Sequence, residues 1–193
     1  VVKELAPGQV RQLATARLGG VLPPAILQMI EERSQGIPFF VEELAETLRQ
    51  ASQLEFADGR WILASGVEGL PQLPDTIQGV ILARLDQLDR ESQLTVKVAS
   101  VVGRRFEVDA LSAIHPDAPP AEVIEEQLSL LEAQDLVQQE RPKPHAVLRF
   151  RQNATQEVAY ATILYAQRRR LHRAAAAWYE ATAPEGEAEA RRH

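Results

Sequence analysis

Apolar residues recur at helical spacing along most of the chain. After a lead-in of Leu5, Ala6, Pro7 and Gly8, Val10, Leu13, Ala14 and Leu18 fall three and four apart until Gly19 and Gly20. That spacing predicts a helix with one buried stripe. Pro23 and Pro24 open a second helix running to about Arg33, with Ile26, Leu27 and Ile30 on its stripe. Ser34, Gln35 and Gly36 end it, the glycine being suited to a left-handed cap. Pro38 then opens a third helix to about Gln50, because proline at a first helical position already has the φ the helix needs. Phe40, Leu44 and Leu48 stand four apart with Val41 beside them, so one face must pack on something. Glu42 and Glu43 are expected in the first turns, where the helix dipole favours negative charge. Three short helices with small connections predict a helical subdomain over residues 1–53.

The pattern changes at residue 54. Leu54-Glu55-Phe56 and Arg60-Trp61-Ile62-Leu63 flank Ala57-Asp58-Gly59, a turn signal between β-prone runs, which predicts a hairpin. Gly66, Gly69, Pro71 and Pro74 mark residues 64–74 as a linker and a place for a hinge. A second unit, 75–182, begins where Asp75 is expected to cap a helix and Gln78 to complete a capping box. Ile77, Val80, Ile81, Leu85 and Leu88 form that helix's stripe. Leu94, Val98, Val101 and Val102 predict the next helix, stopped by Gly103. Arg104-Arg105-Phe106 then leads to a small helix with Val108, Leu111 and Ile114. After the turn from His115 to Pro119, Val123, Ile124, Leu128 and Leu131 predict a longer helix. Leu136 to Glu140 and Ala146 to Arg151 read as two strands of a hairpin. Asn153 is expected to cap a helix ending near Leu164, and Leu171, Ala174, Ala175 and Trp178 mark a last helix before a tail, 183–193. Helices, a helix–turn–helix and a closing hairpin make a winged-helix order.

Composition narrows the class without naming it. A chain of 193 residues, 45% hydrophobic and 25% charged, can build one large core or two small ones. Its net charge of −6 argues against non-specific affinity for nucleic acid or anionic membrane. Without cysteine there is no disulfide framework and no thiolate metal site, which fits a cytoplasmic setting. No apolar run reaches the roughly 18 residues a membrane span needs, and no signal peptide opens the chain. A start at Val1 rather than methionine leads us to expect a fragment of a longer protein.

Three stretches carry a resemblance. Gly36-Ile37-Pro38 followed by Phe39-Phe40-Val41-Glu42-Glu43-Leu44 resembles the GNPFF-hydrophobic-EEL signature of large bacterial regulatory ATPases. These are the AAA-related signal-transduction ATPases with numerous domains, the STAND class, often fused to nucleotide cyclase, kinase or LuxR-type modules. Leu73 to Phe106, LPDTIQGVILARLDQLDRESQLTVKVASVVGRRF, is similar to the winged-helix opening of that class. Leu148 to Glu180, LRFRQNATQEVAYATILYAQRRRLHRAAAAWYE, looks like its closing pattern, after which helical repeats usually follow. The resemblance covers about residues 5–180. It implies a mainly α fold: a helical lid subdomain followed by a winged-helix domain with a small β-hairpin wing. It further implies cofactor-binding roles for Gly36, Pro38 and Gln152, with Pro38 packing on the adenine of ATP or ADP held by the parent's core. Ile37 replaces the usual asparagine. Gln152 stands where the class has a histidine after Phe-Arg, here Phe150 and Arg151, and that histidine looks equivalent to one that contacts the ADP β-phosphate.

The catalytic parts of an ATPase are absent from the sequence. No stretch fits G-x-x-x-x-G-K-[ST], and no strand ends in paired acids that would hold magnesium. The fragment is therefore expected not to be an enzyme, to bind no nucleotide tightly alone and to hold no metal. His115, His145, His172 and His193 are scattered, none at metal-ligand spacing. DNA binding is disfavoured, since Glu122, Glu125, Glu126 and Glu132 occupy the second helix of the helix–turn–helix, with no lysine or arginine between Ala121 and Leu136. The wing offers only Arg141, Lys143 and Arg149. Arg168, Arg169, Arg170 and Arg173 fall largely opposite the last helix's apolar stripe, as a solvated face would. The expected partners are the parent's ATPase core and downstream effector or repeat domains. A nucleotide-dependent relay module is the leading function, with a DNA-binding transcriptional regulator and a protein–protein adaptor as alternatives.

Overall fold

The computed structural model describes residues 4–50, 54–64 and 73–182, and among these the chain is mainly helical with two small antiparallel sheets. It divides into two compact units at Arg84/Leu85. The expected linker falls mostly outside the described residues, as does the tail.

The first unit holds α1 (Pro7–Leu18), α2 (Pro24–Ser34) and α3 (Pro38–Gln50), the hairpin strands β1 (Leu54–Ala57) and β2 (Arg60–Leu63), and most of α4 (Ile77–Asp86). Its core is drawn from every one of these helices: Val10, Ala14 and Leu18, then Ile26 and Ile30, then Phe40, Val41, Leu44 and Leu48, and Val80 of α4. α3 is the central element, with all six residues from Glu43 to Leu48 buried. The sequence predicted one apolar face; the helix instead is covered on most of its circumference, and two glutamates go inside with it. Nor do Glu42 and Glu43 serve the helix dipole, because the first turn of α3 carries no acid. In the hairpin, Asp58 and Gly59 both take positive φ, 49° and 76°, the pair of values a tight two-residue turn requires. Phe56 and Trp61 face each other across the strands with ring centroids 5.1 Å apart. Trp61 ties the hairpin to the end of α1, its backbone N–H donating to Val21 O at 2.8 Å and its indole N–H to Leu18 O at 3.1 Å.

α4 is capped by Thr76, whose Oγ1 accepts from Gly79 N–H at 3.1 Å. Asp75, the expected cap, instead pairs with Arg33. With glycine at the third helical position there is no capping box.

The second unit runs α5 (Arg90–Val102), β3 (Arg105–Glu107), α6 (Val108–Ile114), α7 (Ala121–Ala133), β4 (Val137–Arg141), β5 (Val147–Phe150), α8 (Asn153–Ala161) and α9 (Tyr165–Thr182). β5 lies between the others in a three-stranded antiparallel sheet, order β3-β5-β4. The third strand is a surprise from sequence, since Arg105 to Glu107 is too short for any alternation to register. Phe106 fixes it, fully buried opposite Leu148 and 5.7 Å from the ring of Phe150. Asp89 caps α5, accepting from Glu91 N–H at 3.0 Å and Ser92 N–H at 2.9 Å. Asn153 does not cap α8; it is the first helical residue, and Gln152 is the boundary residue before it, extended in backbone.

Candidate functional site

The corner between α2 and α3 is built by two consecutive left-handed residues. Gln35 (φ 49°) closes α2 through its N–H to Glu31 O, and Gly36 (φ 76°) turns the chain into α3. Leu5 packs behind this turn, its N–H donating to Gly36 O at 2.7 Å. A Cβ on Gly36 would lie 2.5 Å from Leu5 O, so glycine is required here by the chain's own backbone. Gly36 is buried, whereas Ile37 is exposed and the Pro38 ring half-exposed at the start of α3. Of the three residues singled out in sequence, Pro38 offers a surface, Gly36 shapes the turn behind it, and Gln152 belongs to the second unit. There Gln152 is half-buried, and its side chain caps nothing. Arg151 before it is held by Asp135, and Phe150 is fully buried.

Beneath the corner lies a group that the sequence reading missed. Arg84 of α4 donates from Nη1 to both carboxylate oxygens of Glu43 on α3, with 1% and 7% of the two residues exposed. Burial pushes the Glu43 carboxyl up, and the nearby guanidiniums of Arg84 and Arg17 pull it down less strongly. One turn on, burial also raises Glu46, but bonds from Arg49 and Gln50 outweigh it and hold that carboxyl below the usual range. Arg17 of α1 stands 3.7 Å from Glu46. Only half of this network leaves a trace in the sequence. Arg84 is spaced three from Ile81 and four from Val80, so it sits on the apolar stripe of its own helix, where an unpaired cation would not be tolerated.

In the second unit Thr95, His115 and Gln127 form a buried polar cluster. The Thr95 hydroxyl donates to Gln127 and lies 3.3 Å from His115 Nε2, while Asp117 N–H donates to His115 Nδ1 at 3.4 Å. With Nδ1 accepting, Nε2 carries the proton of a neutral ring. Burial holds His115 below the ordinary imidazole range, against the opposing pull of Asp117.

The cations of the wing and of β3 are engaged by the protein's own acids or, for Arg141, by a backbone carbonyl. Lys143 pairs with Glu125, Arg105 and Arg149 share Glu140 at 2.7 and 3.1 Å, and Arg141 donates to His145 O at 2.8 Å. The arginine cluster of α9 also divides. Arg168 is half-buried, donating to Ile163 O and Ala161 O at 2.9 Å each while its guanidinium lies 4.5 Å from the Tyr160 ring centre. It closes the end of α8 rather than joining a solvated face. Among the described residues, no group of three or more His, Asp or Glu is placed to hold a metal ion, and no helix is long and apolar enough to cross a membrane.

Residues 8–61, from α1 into β2, match the family model described as a domain of unknown function (DUF8739). Comparison with curated proteins and with solved structures returned no match.

Proposed function

We propose that this chain is the lid and winged-helix region of a STAND-type signalling ATPase, which closes on ADP or ATP held by a core outside this sequence and relays that state. The observation that carries the reading is the buried Glu43–Arg84 pair. It bonds the second glutamate of the GIPFFVEEL stretch to the arginine of LARLDQL, so two segments that resemble the class separately are also physically interlocked. The element order of the second unit supports the winged-helix assignment: helix, short strand, two helices, then a hairpin that pairs back on the short strand. In this reading Gly36 makes the tight corner, Pro38 lays its ring on the adenine, and Gln152 faces the β-phosphate. The module turns over no ATP by itself, because it lacks the phosphate cradle and the magnesium-binding acids that phosphoryl transfer needs. Switching then consists of two arrangements of rigid units that the nucleotide stabilises unequally.

Gln152 supplies the test. A glutamine amide donates a neutral hydrogen bond, whereas an imidazolium donates a charge-assisted one, roughly twice as strong. Gln152→His in the longer protein is expected to slow ADP dissociation, more at mildly acidic than at mildly basic pH, and to lower basal output. Equal dissociation rates for the two proteins across that pH range would remove position 152 from the nucleotide site.

The same element order favours a DNA-binding reading, which the paired wing cations and the acids of α7 oppose. Binding to random duplex that weakens steeply with salt would instead establish it.

A further inference from the structure

A groove in the second unit is left unused by the nucleotide reading. Between α5 and α9 lies a cavity of about 220 Å³. Leu94, Ile163, Leu171 and Ala174 give it an apolar lining, and Lys97 and Arg170 add charge to its walls. On α9 the lining positions fall on one face, and on α5 they are a turn apart. No acidic residue lines the cavity. Lys97 and Arg170 have no carboxylate partner among the described residues, unlike Lys143, Arg149 and Arg151 of the same unit. Arg90, Arg104 and Arg169 of the same unit are likewise without one, so what sets Lys97 and Arg170 apart is their place on the walls of an apolar hollow.

We propose that this groove docks an acidic amphipathic helix of a partner protein, with one large apolar side chain in the cavity and carboxylates against Lys97 and Arg170. Size selects the class of occupant. Small-molecule sites span about 300–1,000 Å³, and this hollow is smaller, suited to one or two side chains. A cleft between two helices is where a third helix lies most readily, anchored by residues three or four apart. Charge selects the sign. A basic helix would bring like charges together, while acids meet both cations and speed the encounter. A nucleic-acid duplex could satisfy the cations but has nothing to place in the apolar hollow.

The test uses the whole chain, isotopically labelled, and a synthetic alanine-based helix of about 16 residues carrying two leucines four apart flanked by glutamates. A second helix with lysines in place of the glutamates, and a random DNA duplex, serve as comparisons. The acidic helix is expected to shift the backbone amide signals of Leu94, Lys97, Arg170 and Leu171, with a Kd on the order of 1 mM or tighter, and the other two ligands are expected not to. Lys97→Glu combined with Arg170→Glu is expected to transfer binding to the lysine helix; should that variant not fold, the titration of the unmodified chain decides. No shift at these amides, equal shifts from both helices, or shifts produced by the duplex would overturn the proposal.

Discussion

At the scale of single residues, Glu43 and Arg84 carry the sharpest consequences. The carboxyl of Glu43 sits above its ordinary range because desolvation outweighs the attraction of Arg84. A buried pair of that kind owes more to the damage of breaking it than to any net gain from having it. Glu43→Ala or Arg84→Ala is therefore expected to destabilise the first unit by about 3–5 kcal/mol in urea unfolding. The double replacement Glu43→Leu with Arg84→Met should recover most of that loss or exceed the parent stability. A loss in the double variant as large as in either single one would show that the ion pair itself stabilises the fold. His115 gives a second test. Its folded pKa is lowered, so the neutral ring contributes stability above the unfolded value of about 6.5. That contribution is lost as pH falls below it. Melting temperatures taken at mildly basic and mildly acidic pH should fall further for the parent than for His115→Gln; identical pH dependence would mean that the ring does not titrate there. Neither residue was legible as a site. Arg84 stood on an apolar stripe but looked like an ordinary helix charge, and the contact of His115 comes from Thr95, 20 positions away.

At the scale of elements, the helices were readable because their apolar spacing and proline starts are local. The caps were not. Thr76 and Asp75 are adjacent acceptors, and the choice between them was settled by Arg33, which draws Asp75 away from the helix. β3 escaped because its pairing with β5 joins residues 40 to 44 positions apart and leaves no periodic trace in three residues. Asp89 shows what a cap contributes here. Its carboxylate is held below the usual range chiefly by its hydrogen bonds to Ser92. Asp89→Ala should lower the stability of the second unit by about 1 kcal/mol, with Asp89→Asn much closer to the parent. The depressed carboxyl contributes above its unfolded pKa, and that contribution disappears as pH falls through the folded one. An equal loss for the alanine and asparagine variants would show that charge rather than capping matters at this position.

At the scale of the whole molecule, the sequence indicated the mainly helical class and the hairpin, and suggested a nucleotide corner through resemblance alone. What the sequence hid is how that corner is supported: Leu5 fills the space that Gly36 leaves open, and α3 is buried around most of its circumference. Pro38 is left as the half-exposed ring at the head of a helix whose remainder is fixed from behind. Under the proposed function, recognition and stability therefore separate at this one residue. The most direct measurement is the ADP affinity of the longer protein with Pro38→Ala, taken together with its melting temperature. Loss of an apolar face on the base should cost on the order of 1–2 kcal/mol, about tenfold in Kd, with melting unchanged in the absence of nucleotide. Unchanged ADP affinity with a lowered melting temperature would contradict the account and leave the corner a structural turn.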